Sequence, residues 1–145
     1  MSPQSRRMAG ILLIVLPTVM YGGVSLLSLL YNDPRYMQNA LRQNLFRAGH
    51  AHAGVLLILS LVALRYVDEA RLSDTWKNIV RNFIPLAAIL MPAGFFFSVL
   101  SPTATEPNAF IYCTYIGAVV LAIGVLTLGI GLVRKDTIKN GDSFM

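Results

Sequence analysis

Two imidazoles stand two residues apart in the run Phe46-Arg47-Ala48-Gly49-His50-Ala51-His52-Ala53-Gly54, and they are the only histidines in 145 residues. They sit at the mouth of an apolar stretch, residues 55–64, whose one polar side chain is Ser60. Ionisable groups are costly inside a bilayer and turn toward a bundle interior, a cavity or a partner, so His50 and His52 are candidate ligand sites. A neutral imidazole can bind a transition metal or haem iron, and it can also accept and release protons. The competing reading is structural: two histidines hydrogen-bonded to carbonyls of neighbouring helices.

Spacing restricts what the pair can do together. At 100° per residue the two rings lie about 200° apart on a regular helix. Ligands sharing one helix face stand three or four residues apart. His50 and His52 therefore cannot chelate one ion unless Gly49 distorts the helix, and they are expected to form two separate sites. The small residues Ala48, Gly49, Ala51, Ala53 and Gly54 predict that something packs closely here, either a backbone or a flat ligand. Other polar groups expected at the same end are Arg47, Tyr31, Asp33, Tyr36 and Asn44, with Glu106, Tyr112, Cys113 and Thr114 from a later loop and helix start. The ligand- or metal-binding candidates are His50, His52, Arg47, Glu106, Tyr112 and Asp33.

No catalytic residue emerges. The chain has no His-Glu-x-x-His, no Gly-x-Ser-x-Gly, no phosphate-cradling glycine loop and no acidic pair within an apolar run. Asp33 and Glu106 are the only carboxylates expected beside the histidines, which argues against an enzyme. A single cysteine, Cys113, excludes an intramolecular disulfide and a cysteine-based zinc site. It reads as a small buried hydrophobe.

The elements that must position these groups are membrane spans. Hydrophobic residues make up 55% of the chain and charged ones 13%, with a mean hydropathy of +0.60. A soluble domain rarely has this balance. Crossing a bilayer takes about 20 mostly apolar residues, and residues 8–31, 45–65, 83–100 and 109–133 qualify. The expected fold is all-α: one membrane-spanning four-helix bundle over residues 1–145, with an amphipathic segment before the second span. Ser5-Arg6-Arg7 could open a signal peptide, but the apolar run that follows, 24 residues long, exceeds an h-region of about 7–15 and predicts a retained span.

Four spans put both termini on one side. That side carries Arg6, Arg7, Arg65, Arg71, Lys77, Arg81, Arg134, Lys135 and Lys139, against Arg35, Arg42 and Arg47 on the other. The positive-inside rule then places both termini in the cytoplasm and the histidines toward the opposite face. The net charge of +5 belongs to this asymmetry, and no nucleic-acid partner is expected.

Local signals refine the spans. Pro17 and Gly22-Gly23 in the first predict either a bend or close helix packing. Asn32-Asp33-Pro34 is a helix start. Met37, Leu41 and Leu45 then mark an amphipathic helix that lies at the interface or runs into the second span, and that could cover the histidines. Ser73-Asp74 should cap the third span, with Trp76, Lys77 and Arg81 as interfacial anchors. Pro85 and Pro92 predict a kink or local unwinding in that span. Gly117, Gly124 and Gly131, at seven-residue intervals with Leu121 and Leu128 between, predict a close-packing seam against another helix of the chain or a second subunit.

The run from Phe46 to Leu57 resembles a motif of small bacterial four-span membrane proteins, as does Ser101-Pro102-Thr103-Ala104-Thr105-Glu106-Pro107-Asn108. The resemblance implies a multi-pass protein of the bacterial plasma membrane and carries no activity. Over about a dozen residues, a histidine near the end of a second helix and after a small residue is similar to haem-copper oxidase catalytic subunits. That similarity implies haem ligation by His50 or His52, with a second axial ligand from another subunit. The leading expectation is a small binding or accessory membrane protein whose histidine site takes a metal, haem or a quinone-like small ligand. The alternatives are a structural subunit of a homo-oligomer or larger complex in the lipid bilayer, and a small transporter or channel.

Overall fold

The structure, a computed structural model, describes residues 1–134. Lys135 and Lys139 lie outside the described residues. Every regular element described is helical: α1 (Pro3–Asn32), α2 (Pro34–Met37), α3 (Ala40–Tyr66), α4 (Asp74–Ser98) and α5 (Ile111–Val133). Helices α1, α3, α4 and α5 are long and apolar enough to cross a membrane. The expected all-α architecture with four spans is therefore present.

Capping chemistry explains where the helices begin. The Ser2 hydroxyl accepts the Ser5 N–H at 3.2 Å and Pro3 occupies the first turn of α1. Asp33 ends α1 and opens α2, accepting the N–H groups of Arg35 at 3.0 Å and Tyr36 at 3.3 Å. The amphipathic segment then breaks once. Asn39 accepts the Arg42 N–H at 3.0 Å and starts α3, which runs without interruption into the second span. Helix α4 begins at Asp74, well before its apolar stretch, with Ser73 in the extended capping conformation. An acidic first turn suits the positive end of the helix dipole.

The spans pack serially: α1 on α3, α3 on α4, and α4 most extensively on α5. Only 6% of the apolar window of α1 is buried, against 44% for α4, so α1 is peripheral and α4 central. Three apolar clusters follow from this order. Ala63, Val67, Val80, Ile84 and Leu128 join α3, α4 and α5 near the termini. Leu12, Leu57 and Leu64 join α1 to α3. Tyr36, Phe46 and Val99 close the opposite end.

The glycine seam finds its partner inside the chain. A Cβ at Gly117 would meet Met91 at 2.6 Å, one at Gly124 would meet Ile84 at 2.7 Å, and one at Gly131 would meet Leu72 at 2.6 Å. The missing side chains let α5 lie directly on α4 and the turn before it. Gly94 continues the contact from the α4 side, where a Cβ would collide with Thr114. Helix α4 remains continuous through Pro85 and Pro92, so it is not unwound. Both prolines are buried between neighbouring helices, and such packing offsets the hydrogen bonds a proline removes.

Candidate functional site

His50 faces α1. Cβ atoms at Gly22 and Gly23 would lie 3.4 Å from its Nδ1 and 3.1 Å from its Nε2, so the nitrogen-bearing edge of the ring lies along a strip of bare α1 backbone. The Gly22-Gly23 pair is thus a packing surface for an imidazole, and it accounts for one of the two close approaches that small residues predicted. The other is at Gly49, where a Cβ would meet the Phe96 ring at 2.9 Å and the Phe95 Cβ at 3.2 Å.

His52 faces α4. Its ring lies 5.0 Å from that of Phe95, and its Nδ1 is 2.7 Å from the Ala48 carbonyl oxygen. A carbonyl can only accept, so Nδ1 carries the proton and donates it. The bond is made to the preceding turn of the same helix and not to a neighbouring one. The two histidines therefore serve different interfaces, α1–α3 and α3–α4, and share no ligand position.

A cleft of about 570 Å³ opens beside His50. Its polar wall is Arg47, Gln43, His50 and Tyr36, and its apolar wall is Gly23, Leu26, Leu27 and Leu30 of α1. Three elements build it. On α3, residues 43, 47 and 50 follow helical spacing and share one face. Tyr36 arrives from α2, which is tied to α3 because the Gln43 Nε2 donates to the carbonyls of Tyr36 at 3.0 Å and Met37 at 2.8 Å. The Gln43 Oε1 is taken as well, by an Arg47 Nη2 at 2.9 Å. Burial pushes the Tyr36 phenol up from its ordinary value, against the opposing pull of Arg47 and Arg42, so it stays protonated. With the Gln43 Nε2 hydrogens donated to α2 and the His50 nitrogens against α1, the wall offers the remaining N–H groups and charge of Arg47 and the Tyr36 hydroxyl, with no carboxylate among its lining residues.

Of the ligand- or metal-binding candidates, only Arg47 joins His50 in this cleft; Tyr36, expected at the same end, lines it as well. Glu106 lines a separate surface pocket with Ser98, Ser101 and Asn108. Tyr112 is 64% exposed and stacks on Tyr115. Asp33 is spent on capping α2 and lies 3.8 Å from Arg35. Cys113 is half-buried, and Thr114 donates to the Met91 carbonyl at 3.3 Å across the α4–α5 contact.

No family model, curated protein or solved structure matches this chain.

The donor set itself tests the expected metal or haem. Among the described residues, no three His, Cys, Asp or Glu side chains gather closely enough to hold a metal ion. Both nitrogens of His50 are turned toward α1 at packing distance, and an iron with its porphyrin plane would have to enter between them. Neither group fits the arrangement around His50 as it stands.

Two arginines that the sequence did not mark as special complete the electrostatics. Arg42 is buried on α3, with Nε donating to the Val99 carbonyl at 3.1 Å. Its guanidinium lies 5.0 Å from the centre of the Phe46 ring and 5.7 Å from that of Tyr36. It caps the end of α4, where carbonyls favour a cation, while its Nη1 has no hydrogen-bond partner among the described residues. At the other end of the molecule, Arg81 pairs with Asp68 at 2.6 Å. The Asp68 carboxylate also accepts the Ser2 N–H at 2.6 Å and the Ser5 hydroxyl at 3.2 Å. Burial pushes the Asp68 carboxyl up, but the bonds from Ser2, Arg81 and Ser5 prevail and hold it well below the usual carboxylate range. The connection carries three acids, Asp68, Glu69 and Asp74, beside three cations, Arg71, Lys77 and Arg81, so nothing in the sequence singles out Asp68.

Proposed function

We propose that this multi-pass membrane protein is a small binding or accessory protein. Its ligand is an amphiphile, with a polar head beside His50 and Arg47 and an apolar body along α1. One observation carries the reading: α1, α2 and α3 converge on a single cleft with donors on one wall and leucines on the other. A ligand site in a membrane protein needs this division, because the apolar part stays in hydrocarbon while a few polar groups fix the head. Leu27 and Leu30 are exposed at its edge, so the cleft can be reached from the lipid side of α1. The excess of cations at the termini supports a bacterial-type plasma membrane orientation, with the termini inside and the cleft toward the opposite face.

The alternatives draw less support. The glycine seam is used within the chain and offers no argument for a second subunit. The continuous α4 lacks the broken backbone that lines many transport sites.

A neutral nitroxide-labelled stearic acid methyl ester in detergent micelles tests the reading by electron spin resonance. The wild type should show an immobilised fraction that falls at least severalfold in Leu27→Trp, which fills the cleft, and in His50→Ala. His52→Ala should leave it unchanged. Identical spectra for the wild type and Leu27→Trp would sink the proposal.

A further inference from the structure

We infer that the head group held in the His50 cleft carries a net negative charge, and that its source is an anionic phospholipid; this rests on the amphiphile-binding reading above. Arg47 forms no ion pair among the described residues, and its Nε and one Nη2 bond only reach neutral oxygens of Gln43. Its charge is therefore not neutralised by the protein. The Gln43 Oε1 already accepts one bond from Arg47, and both Nε2 hydrogens are donated to α2 carbonyls. Tyr36 stays a phenol, with a proton it can donate. Arg42 stands one residue before Gln43, buried and also without a carboxylate, and adds positive potential behind the wall.

A neutral carbonyl head would satisfy one or two of these donors and leave the charge. A phosphate or carboxylate satisfies both, and a guanidinium matches such oxygens in a paired geometry. The apolar wall then selects a lipid over a free anion. Gly23, Leu26, Leu27 and Leu30 give a path for methylene groups and no polar contact for a soluble ion.

Nanodiscs with equal phosphatidylglycerol and phosphatidylcholine, followed by native mass spectrometry of the released full-length protein, test the inference. The wild type should retain phosphatidylglycerol about tenfold over phosphatidylcholine, the ratio expected for one charge-assisted contact. Arg47→Gln should bring the ratio close to one. Arg35→Gln removes an exposed cation at the same end but outside the cleft, and should keep the preference. An equal loss in Arg35→Gln would show general surface attraction and overturn the inference. Equal retention of both lipids, abolished by Leu27→Trp, would also overturn it while leaving the amphiphile reading intact. Retention that Leu27→Trp does not change would remove both. Glycerol phosphate retained in pure phosphatidylcholine discs would assign the site to a free phosphate and overturn the lipid source. Thermal unfolding of each variant confirms that it is folded.

Discussion

Helix α1 is held at its two ends by different physics. At its start, Ser2 and Ser5 enter a polar cluster with Asp68 and Arg81, and Ser5 is wholly buried. Toward its other end, α1 meets α3 through Gly22, Gly23 and the His50 ring, and Leu26 and Leu29 pack on the Tyr36, Phe46 and Val99 cluster beside the cleft. The first attachment is directional, charged and shared among three segments of chain. The second is packing alone, a ring on bare backbone and two leucines on an apolar cluster. A helix fixed at one end and leaning at the other can admit a ligand without losing its place in the fold.

The sharpest way to break this contrast is to remove the charge at the fixed end. Asp68→Asn leaves the buried Arg81 uncompensated and should cost about 3–5 kcal/mol of stability, read as thermal unfolding in detergent. Amide exchange should rise in residues 3–10 more than in residues 20–30. The same clamp should respond to acid. Because the folded carboxyl is held below its unfolded value, its contribution is complete above about pH 4 and lost progressively as pH falls further. Asp68→Asn should flatten this acid limb. An unaltered acid limb would mean that Asp68 does not hold α1.

Smaller effects belong to the leaning end. His50→Ala removes a half-buried ring from between two helices and should cost about 1–2 kcal/mol, less than a full core deletion. Its amide-exchange signature should centre on residues 20–26 and leave residues 3–10 protected. Gly23→Ala is the mildest. The new methyl meets His50 Nε2 at 3.1 Å, which the ring can accommodate by shifting a few tenths of an ångström, so a loss below about 1 kcal/mol is expected. If Gly23→Ala proved as damaging as Asp68→Asn, the two ends would not differ as described.

Much of this was legible in the sequence because hydrocarbon imposes simple rules. Four long apolar runs had to be helices, since every backbone group must be satisfied within its own segment. The opposed directions of His50 and His52 followed from their spacing alone, and the structure places them against α1 and α4. The cap at Asp33 also followed from local chemistry, whereas Ser73 takes the N-cap position of α4 without a side-chain hydrogen bond. What pattern could not supply was which loop residues converge. Glu106, Tyr112 and Asp33 belong to the same end as His50, yet they are directed elsewhere, because sharing a membrane face does not fix a side chain's direction. Gln43 was overlooked because an isolated glutamine in an amphipathic stretch reads as a solvated face. Its role depends on the Tyr36 and Met37 carbonyls at the break before Asn39. Likewise Asp68 and Arg81 are ordinary loop and interface charges until α1 is brought back against them.

The separation along the chain of Ser5 and Arg81, 76 residues, carries a consequence for biogenesis. A chain emerges at about 5–20 residues per second, so Ser5 is made roughly 4–15 s before the arginine that anchors it. During that interval its first turn has no partner for its serines except water and lipid head groups. The first span must therefore wait, inserted but unmoored, and the last step in fixing it is the arrival of the third.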